Sequence, residues 1–139
     1  MSVRVFFYGL FMDRSLLTEK GLQPATVGRA LLSGFRIHIG NRASLVPANG
    51  SQAYGVVMEL SDEEAHALYS EPSVREYRRE TVSVELLDTH ELVEAHCYNL
   101  PQQLALAGAN PSYAAQLSEL VLALGFGSEY AEEIANFAE

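Results

Sequence analysis

Residues 3–99 read as a succession of strands and residues 111–137 as helices, and this segregation most limits the folds open to the chain. It predicts an α+β domain whose mostly antiparallel sheet curls toward a barrel. The apolar run Val3–Tyr8 is the first strand. Thr26–Leu32 and Phe35–Ile39 are strand-like and separate at Ser33-Gly34. In the second of these, Phe35, Ile37 and Ile39 alternate with Arg36 and His38, the period of a half-buried strand. Ala43–Val46 is short and extended, and Pro47-Ala48-Asn49-Gly50 reads as a turn. Ala53–Leu60 is a strong strand in which Gly55 marks a bulge or a close backbone approach. Tyr77–Leu87 sets Val82, Val84 and Leu86 on one side, and Glu91–Asn99 returns from a turn at Asp88-Thr89-His90, so the pair reads as a hairpin.

Helices are announced by their ends. Asp13 is an N-cap for a short helix to Glu19, with Gly21 as its stop. Ser61-Asp62-Glu63-Glu64 is a capping box that opens a helix through Leu68. Ser70–Glu76, containing Pro72, is a loop. Pro111 opens a helix to about Leu124 with Leu117, Leu120, Val121 and Leu124 on one face, and Ser128 caps a last helix to Phe137. At 139 residues, 48% of them hydrophobic, one domain over residues 1–139 is expected.

The chain carries 18 acidic and 9 basic residues, a net charge of −9. Nucleic acid needs a basic face, so it is excluded as a partner; Arg75, Arg78 and Arg79 read as solvated strand residues among glutamates. No apolar run is long enough to span a bilayer, and the N-terminus reads as a strand rather than a signal peptide. A cytoplasmic protein with no membrane partner is expected, and an exposed sheet edge would suit a homodimer. The single Cys97 excludes an internal disulfide and reads as a buried thiol. Four histidines lack ligand spacing, so no metal site is expected.

Tyr8-Gly9-Leu10-Phe11-Met12-Asp13 is the stretch closest to chemistry. A strand feeds a glycine turn and a helix starts at once. Main-chain N–H groups there have no intrahelical partner and sit at the positive end of the dipole, a place for a carboxylate. The same pattern also serves as an ordinary turn between strand and helix.

Taken with other stretches, the turn resembles the gamma-glutamylcyclotransferase-like family. The resemblance rests on Phe6–Met12, Gly34-Phe35-Arg36-Ile37, Ala43–Pro47, Tyr54–Leu60, Glu71 followed by Tyr77-Arg78-Arg79, and the tail from Pro111 to Tyr130. It implies a six-stranded barrel flanked by short helices, with two C-terminal helices and a cavity at the Tyr-Gly turn. It also implies a cofactor-free reaction in which the α-amine of a γ-glutamyl amide or peptide attacks its own γ-carbonyl. The products are 5-oxoproline and an amine or amino acid.

In that scheme Glu71 is the general acid/base, with Glu76 and Glu80 as weaker candidates. Tyr8, Gly9, Leu10, Phe11, Tyr77 and Tyr98 are the substrate-binding residues; the tyrosines equally suit packing. The chain departs from the family pattern at three places. Leu10 stands where Ser or Thr is common, Pro72 follows Glu71 where Gly is usual, and the leucine-to-glutamate spacing is one residue short. A binding module that keeps the fold and holds an amino-acid-like ligand without turnover is the alternative.

Overall fold

A computed structural model describes residues 2–138. Five strands, β1 (Ser2–Phe7), β2 (Ala25–Ile39), β3 (Ala43–Ser61), β4 (Arg78–Leu86) and β5 (Leu92–Asn99), close into a barrel in the order β1-β3-β2-β4-β5. Neighbours are antiparallel except β1 and β5, which meet in parallel at Val5 and His96. The resemblance implied six strands, and the residues read as seven strand-like runs. The difference lies in β2 and β3, each of which runs through a place where the sequence reads as broken.

The reason is visible in their register. Ser33 faces Gln52, but Phe35 faces Pro47, so residues 48–51 have no opposite number on β2. Gly34 and Gly50 take φ of +86° and +81° at this step, a conformation that glycine alone adopts cheaply. The Ser33-Gly34 break and the Pro47–Gly50 turn are therefore one irregularity seen from its two sides. Extra residues on one strand bend it and increase its twist. The bent hairpin carries β2 to β4 at Ala30 and Leu31, and β3 to β1 from Ser61 to Val56. Closure gives every described strand a neighbour on each side, while residues 35–39 and 43–47 of the hairpin pair only with each other.

The described residues also form five α-helices outside the sheet: α1 (Arg14–Glu19), α2 (Asp62–Leu68), α3 (Gln102–Ala105), α4 (Pro111–Ala123) and α5 (Ser128–Ala135). The short α3 lies between the last strand and the helical tail. Asn110 caps α4 through the N–H of Tyr113. Ala114, Leu117 and Val121 of α4 are buried, as are Tyr130, Ala131 and Ile134 of α5, and the Ser118 hydroxyl donates to the Ala131 carbonyl at 2.8 Å. Gly127, at φ +96°, caps α5 instead of Ser128, which is already helical. The end of β1 is buried on both faces, with Val5, Phe6, Phe7 and Tyr8 all in the core. No described helix is long and apolar enough to cross a membrane.

Gly55 is where β3 passes closest to β1. A Cβ there would overlap the Phe7 carbonyl oxygen and come within 2.8 Å of Phe6 Cζ. Gly55→Ala is expected to cost about 1–3 kcal/mol, a fall in Tm of about 3–10 °C in thermal unfolding. Gly28→Ala, whose Cβ would meet Leu86 Cδ2 at 3.8 Å, should change little; equal effects would show that close approach at residue 55 is not limiting.

Glu64 completes the capping box of α2. Its Oε1 accepts from Ser61 N–H at 2.9 Å and its Oε2 from Gln23 N–H at 2.8 Å. The bond from Ser61 is the main cause holding the carboxyl below its ordinary value of 4.5, with the Gln23 bond second. A carboxyl lowered on folding contributes stability that is full above the ordinary value and is lost as pH falls through the folded one. Glu64→Gln is expected to flatten that acid limb in urea unfolding between about pH 5 and 3; an unchanged slope would refute the linkage.

Candidate functional site

Leaving β1, the chain is held by two tyrosines from distant elements. The Tyr8 hydroxyl donates to the Tyr98 carbonyl at 2.7 Å, tying the turn to the end of β5. Residues Leu10–Met12 then form a 3₁₀ turn, in which Met12 N–H reaches Gly9 O at 3.0 Å and Asp13 N–H reaches Leu10 O at 2.9 Å. The N–H of Leu10 donates to the hydroxyl of Tyr113, on the first turn of α4, at 3.1 Å. A Cβ at residue 9 would overlap that hydroxyl, so Gly9 is needed for the approach of α4.

The donor set expected at the start of α1 is therefore corrected in detail. Asp13 caps α1 itself through Ser15 N–H at 3.1 Å, and Leu10 N–H is occupied by Tyr113. The N–H groups of Gly9 and Phe11 have no hydrogen-bond partner among the described residues. Both residues belong to the wall of a cavity of about 310 Å³ that opens at this turn.

Aromatic rings make most of that wall. Tyr69, the C-terminal cap of α2, stacks on Tyr98 with ring centres 3.7 Å apart and planes 7° apart. It meets Phe11 edge-on at 6.4 Å and lies 6.3 Å from Tyr77. The Tyr77 hydroxyl donates to the Ala43 carbonyl. Burial is the first cause raising the hydroxyl pKa of Tyr8, Tyr69, Tyr77, Tyr98 and Tyr113. These phenols stay neutral near pH 7 and can donate hydrogen bonds, but they offer no phenolate base. Beneath them Cys97 is fully buried, and burial pushes its thiol up to about 12, so it is a poor nucleophile.

Tyr8, Gly9, Leu10, Phe11, Tyr77 and Tyr98, the residues expected to meet substrate, all lie in this wall. Tyr69, Tyr113, Arg42, Ser73 and Val74 join them. Nothing local marks Tyr69 or Tyr113: one follows a helix, the other starts one, and Tyr113 is 103 residues from its partner Leu10.

Glu71 lies elsewhere. Its two carboxylate oxygens are 2.8 and 3.1 Å from Lys20 Nζ, just past the end of α1, and both side chains are 36% exposed. Successive turns, Val74 N–H to Glu71 O and Tyr77 N–H to Val74 O, follow it at 3.0 Å each. With φ locked at Pro72, they lead the loop outward at residue 71 and back to the cavity at Ser73 and Val74. Glu76 pairs with Arg42 at 2.9 Å, and Glu80 is exposed on β4. None of the described lining residues is Asp, Glu or His. Among the described residues no three His, Cys, Asp or Glu side chains converge as metal ligands would.

Residues 5–116 match the family model described as gamma-glutamyl cyclotransferase, AIG2-like. A search of curated proteins finds no match to the sequence. Among solved structures, one titled gamma-glutamyl cyclotransferase aligns with a TM-score of 0.78 at 18% identity, covering 96% of this chain and 86% of its own. The uncharacterized protein loc79017 from Homo sapiens aligns with a TM-score of 0.74 at 19% identity over the same shares. YkqA from Bacillus subtilis aligns with a TM-score of 0.78 at 21% identity, covering 99% of this chain but 54% of that one. At these identities the structures establish a shared fold.

Tyr113→Phe removes the only described acceptor of Leu10 N–H. A part-buried donor left unpaired costs about 1 kcal/mol, the low end for a buried one. The variant is expected to unfold at lower urea with an unchanged m-value; an unchanged midpoint would show that the turn holds without α4.

Proposed function

Because the chain belongs to the gamma-glutamyl cyclotransferase, AIG2-like family, we propose that it binds a small γ-glutamyl amide or peptide in the cavity at the Tyr8-Gly9 turn and cyclises it to 5-oxoproline once Glu71 is released from Lys20. The observation carrying this reading is the path of the 69–77 loop. Glu71 stands two residues before Ser73, which lines the cavity, and the one described side-chain partner of its carboxylate is the exposed Lys20 ammonium. Such a pair is worth about 0–1 kcal/mol, so exchanging it costs little.

The step needs few groups. The ligand's α-amine forms the new C–N bond with the γ-carbonyl carbon while the γ-amide C–N bond breaks. An α-amine has a reference pKa of about 8 and is mostly protonated at pH 7. Glu71 takes the proton that the attacking nitrogen loses and returns it to the departing nitrogen, a role typically worth about 10²–10⁴-fold. Holding amine and carbonyl together in an aromatic cavity supplies the orientation. The N–H groups of Gly9 and Phe11 are the candidates for the glutamyl carboxylate, and the neutral tyrosine hydroxyls for the carbonyl oxygen as charge develops there.

A second reading, a binding module without turnover, is favoured by the lack of any Asp, Glu or His among the described lining residues. Assay of 5-oxoproline release from a panel of γ-glutamyl peptides, with calorimetric binding on the same panel, separates the two. Cyclisation through Glu71 predicts that Glu71→Gln lowers kcat by about 10²–10⁴-fold while binding persists, and that Lys20→Met raises kcat. Binding with no product in the wild type, unchanged in both variants, would establish the module instead.

A further inference from the structure

Arg42 is the one charged side chain among the described residues of the cavity wall, and the reaction above gives it no task. Its backbone is fixed from outside the barrel. It ends the turn between β2 and β3, where Gly40 N–H donates to Arg42 O at 3.2 Å. Asn41 N–H donates to the Ala107 carbonyl at 2.8 Å, and Asn110 Nδ2 donates to the Asn41 carbonyl at 3.2 Å. A Cβ at Gly40 would overlap the Ala107 carbonyl, and one at Gly108, already at φ +73°, would overlap the Asn41 side chain. The turn is thus clamped by the segment between α3 and α4, and Arg42 is presented on a rigid base.

The guanidinium itself is only partly engaged. Nη1 donates to Glu76 Oε1 at 2.9 Å and to the Ser73 carbonyl at 3.3 Å, while Cζ lies 5.9 Å from the centre of the Tyr77 ring. No described residue accepts from Nε or Nη2. A guanidinium is a planar fork of five donors that matches a carboxylate with two parallel bonds. Glu76 is the carboxylate it now holds, and that side chain is 48% exposed, so the contact is exchangeable.

We propose that Arg42 is a specificity-determining residue of the cavity, receiving a carboxylate on the amine half of a γ-glutamyl ligand in competition with Glu76. The inference rests on the reading that the cavity takes γ-glutamyl amides, in which the glutamyl half's own carboxylate falls to the Gly9 and Phe11 amides. Arg42 then favours ligands whose departing amine is an amino acid over those whose departing amine is uncharged. It forms no bond and moves no proton.

Calorimetric titration of γ-glutamylglycine and γ-glutamylmethylamide tests this, since the two differ by the carboxylate in question. The wild type is expected to bind the glycine compound about tenfold more tightly, the scale of one charge-assisted contact. Arg42→Met should reduce that ratio to about 1, and Glu76→Gln, which removes the competitor, should increase it. A ratio near 1 in the wild type, a ratio that survives Arg42→Met, or equal weakening of both ligands by Arg42→Met would each overturn the role. Should Arg42→Met fail to fold, a ratio unchanged by Glu76→Gln overturns it alone. If the wild type binds neither compound, the reading of the cavity itself fails, an outcome distinct from the others.

Discussion

The bend in the β2–β3 hairpin is the constraint on which the rest of this structure depends. A straight strand of fifteen residues would run roughly 50 Å, far beyond the core of a domain this size. The step from Ser33–Gln52 to Phe35–Pro47 folds that length back. One half of the hairpin joins the barrel wall through β1 and β4, and the other carries its tip, with Arg42, to the cavity. Closure also sets the end of β1 beside β5, which is why the Tyr8 hydroxyl can reach the Tyr98 carbonyl. The site is a consequence of how the barrel closes, more than of any one segment.

The cavity has an uneven electrostatic character. Its interior is neutral: stacked and edge-on rings, buried phenols held protonated, and main-chain donors. Arg42 is the one charged side chain of the described wall, and further charge borders the cavity on the loop from Tyr69 to Tyr77. That loop carries two glutamates, and each is tied to a cation from another element, Glu71 to Lys20 beyond α1 and Glu76 to Arg42 at the hairpin tip. Both pairs are partly exposed and individually weak. Residues of the same loop, Ser73 and Val74, form cavity wall. A neutral interior bordered by exchangeable ion pairs suits a small zwitterionic ligand, because its charged ends can replace internal partners one for one while its carbon skeleton meets rings.

Much of the architecture was legible in the residues. The Asp13 cap, the Ser61–Glu64 capping box, the β4–β5 hairpin, the close approach at Gly55 and the helical tail from Pro111 all form as read. Two readings failed for one reason. Ser33-Gly34 and Pro47–Gly50 carry the local marks of chain breaks, and locally they are bends. Pairing across the ladder continues on either side, however, and merges four expected strands into two. Propensity describes a residue's own conformation; whether a strand ends is decided by its neighbours.

The site divides along the same line. The sequence by itself determined the apolar strand and the Gly9 turn after it, which follow from short-range pattern, and the family resemblance singled out Tyr8, Tyr77 and Tyr98. Only the tertiary structure decided that Tyr113 would occupy Leu10 N–H, that Tyr69 would stack on Tyr98, that Arg42 would enter the wall and that Glu71 would rest on Lys20. Those contacts join residues 29 to 103 positions apart. They depend on barrel closure and on where one proline-bearing loop turns, and no local pattern of residue types encodes either.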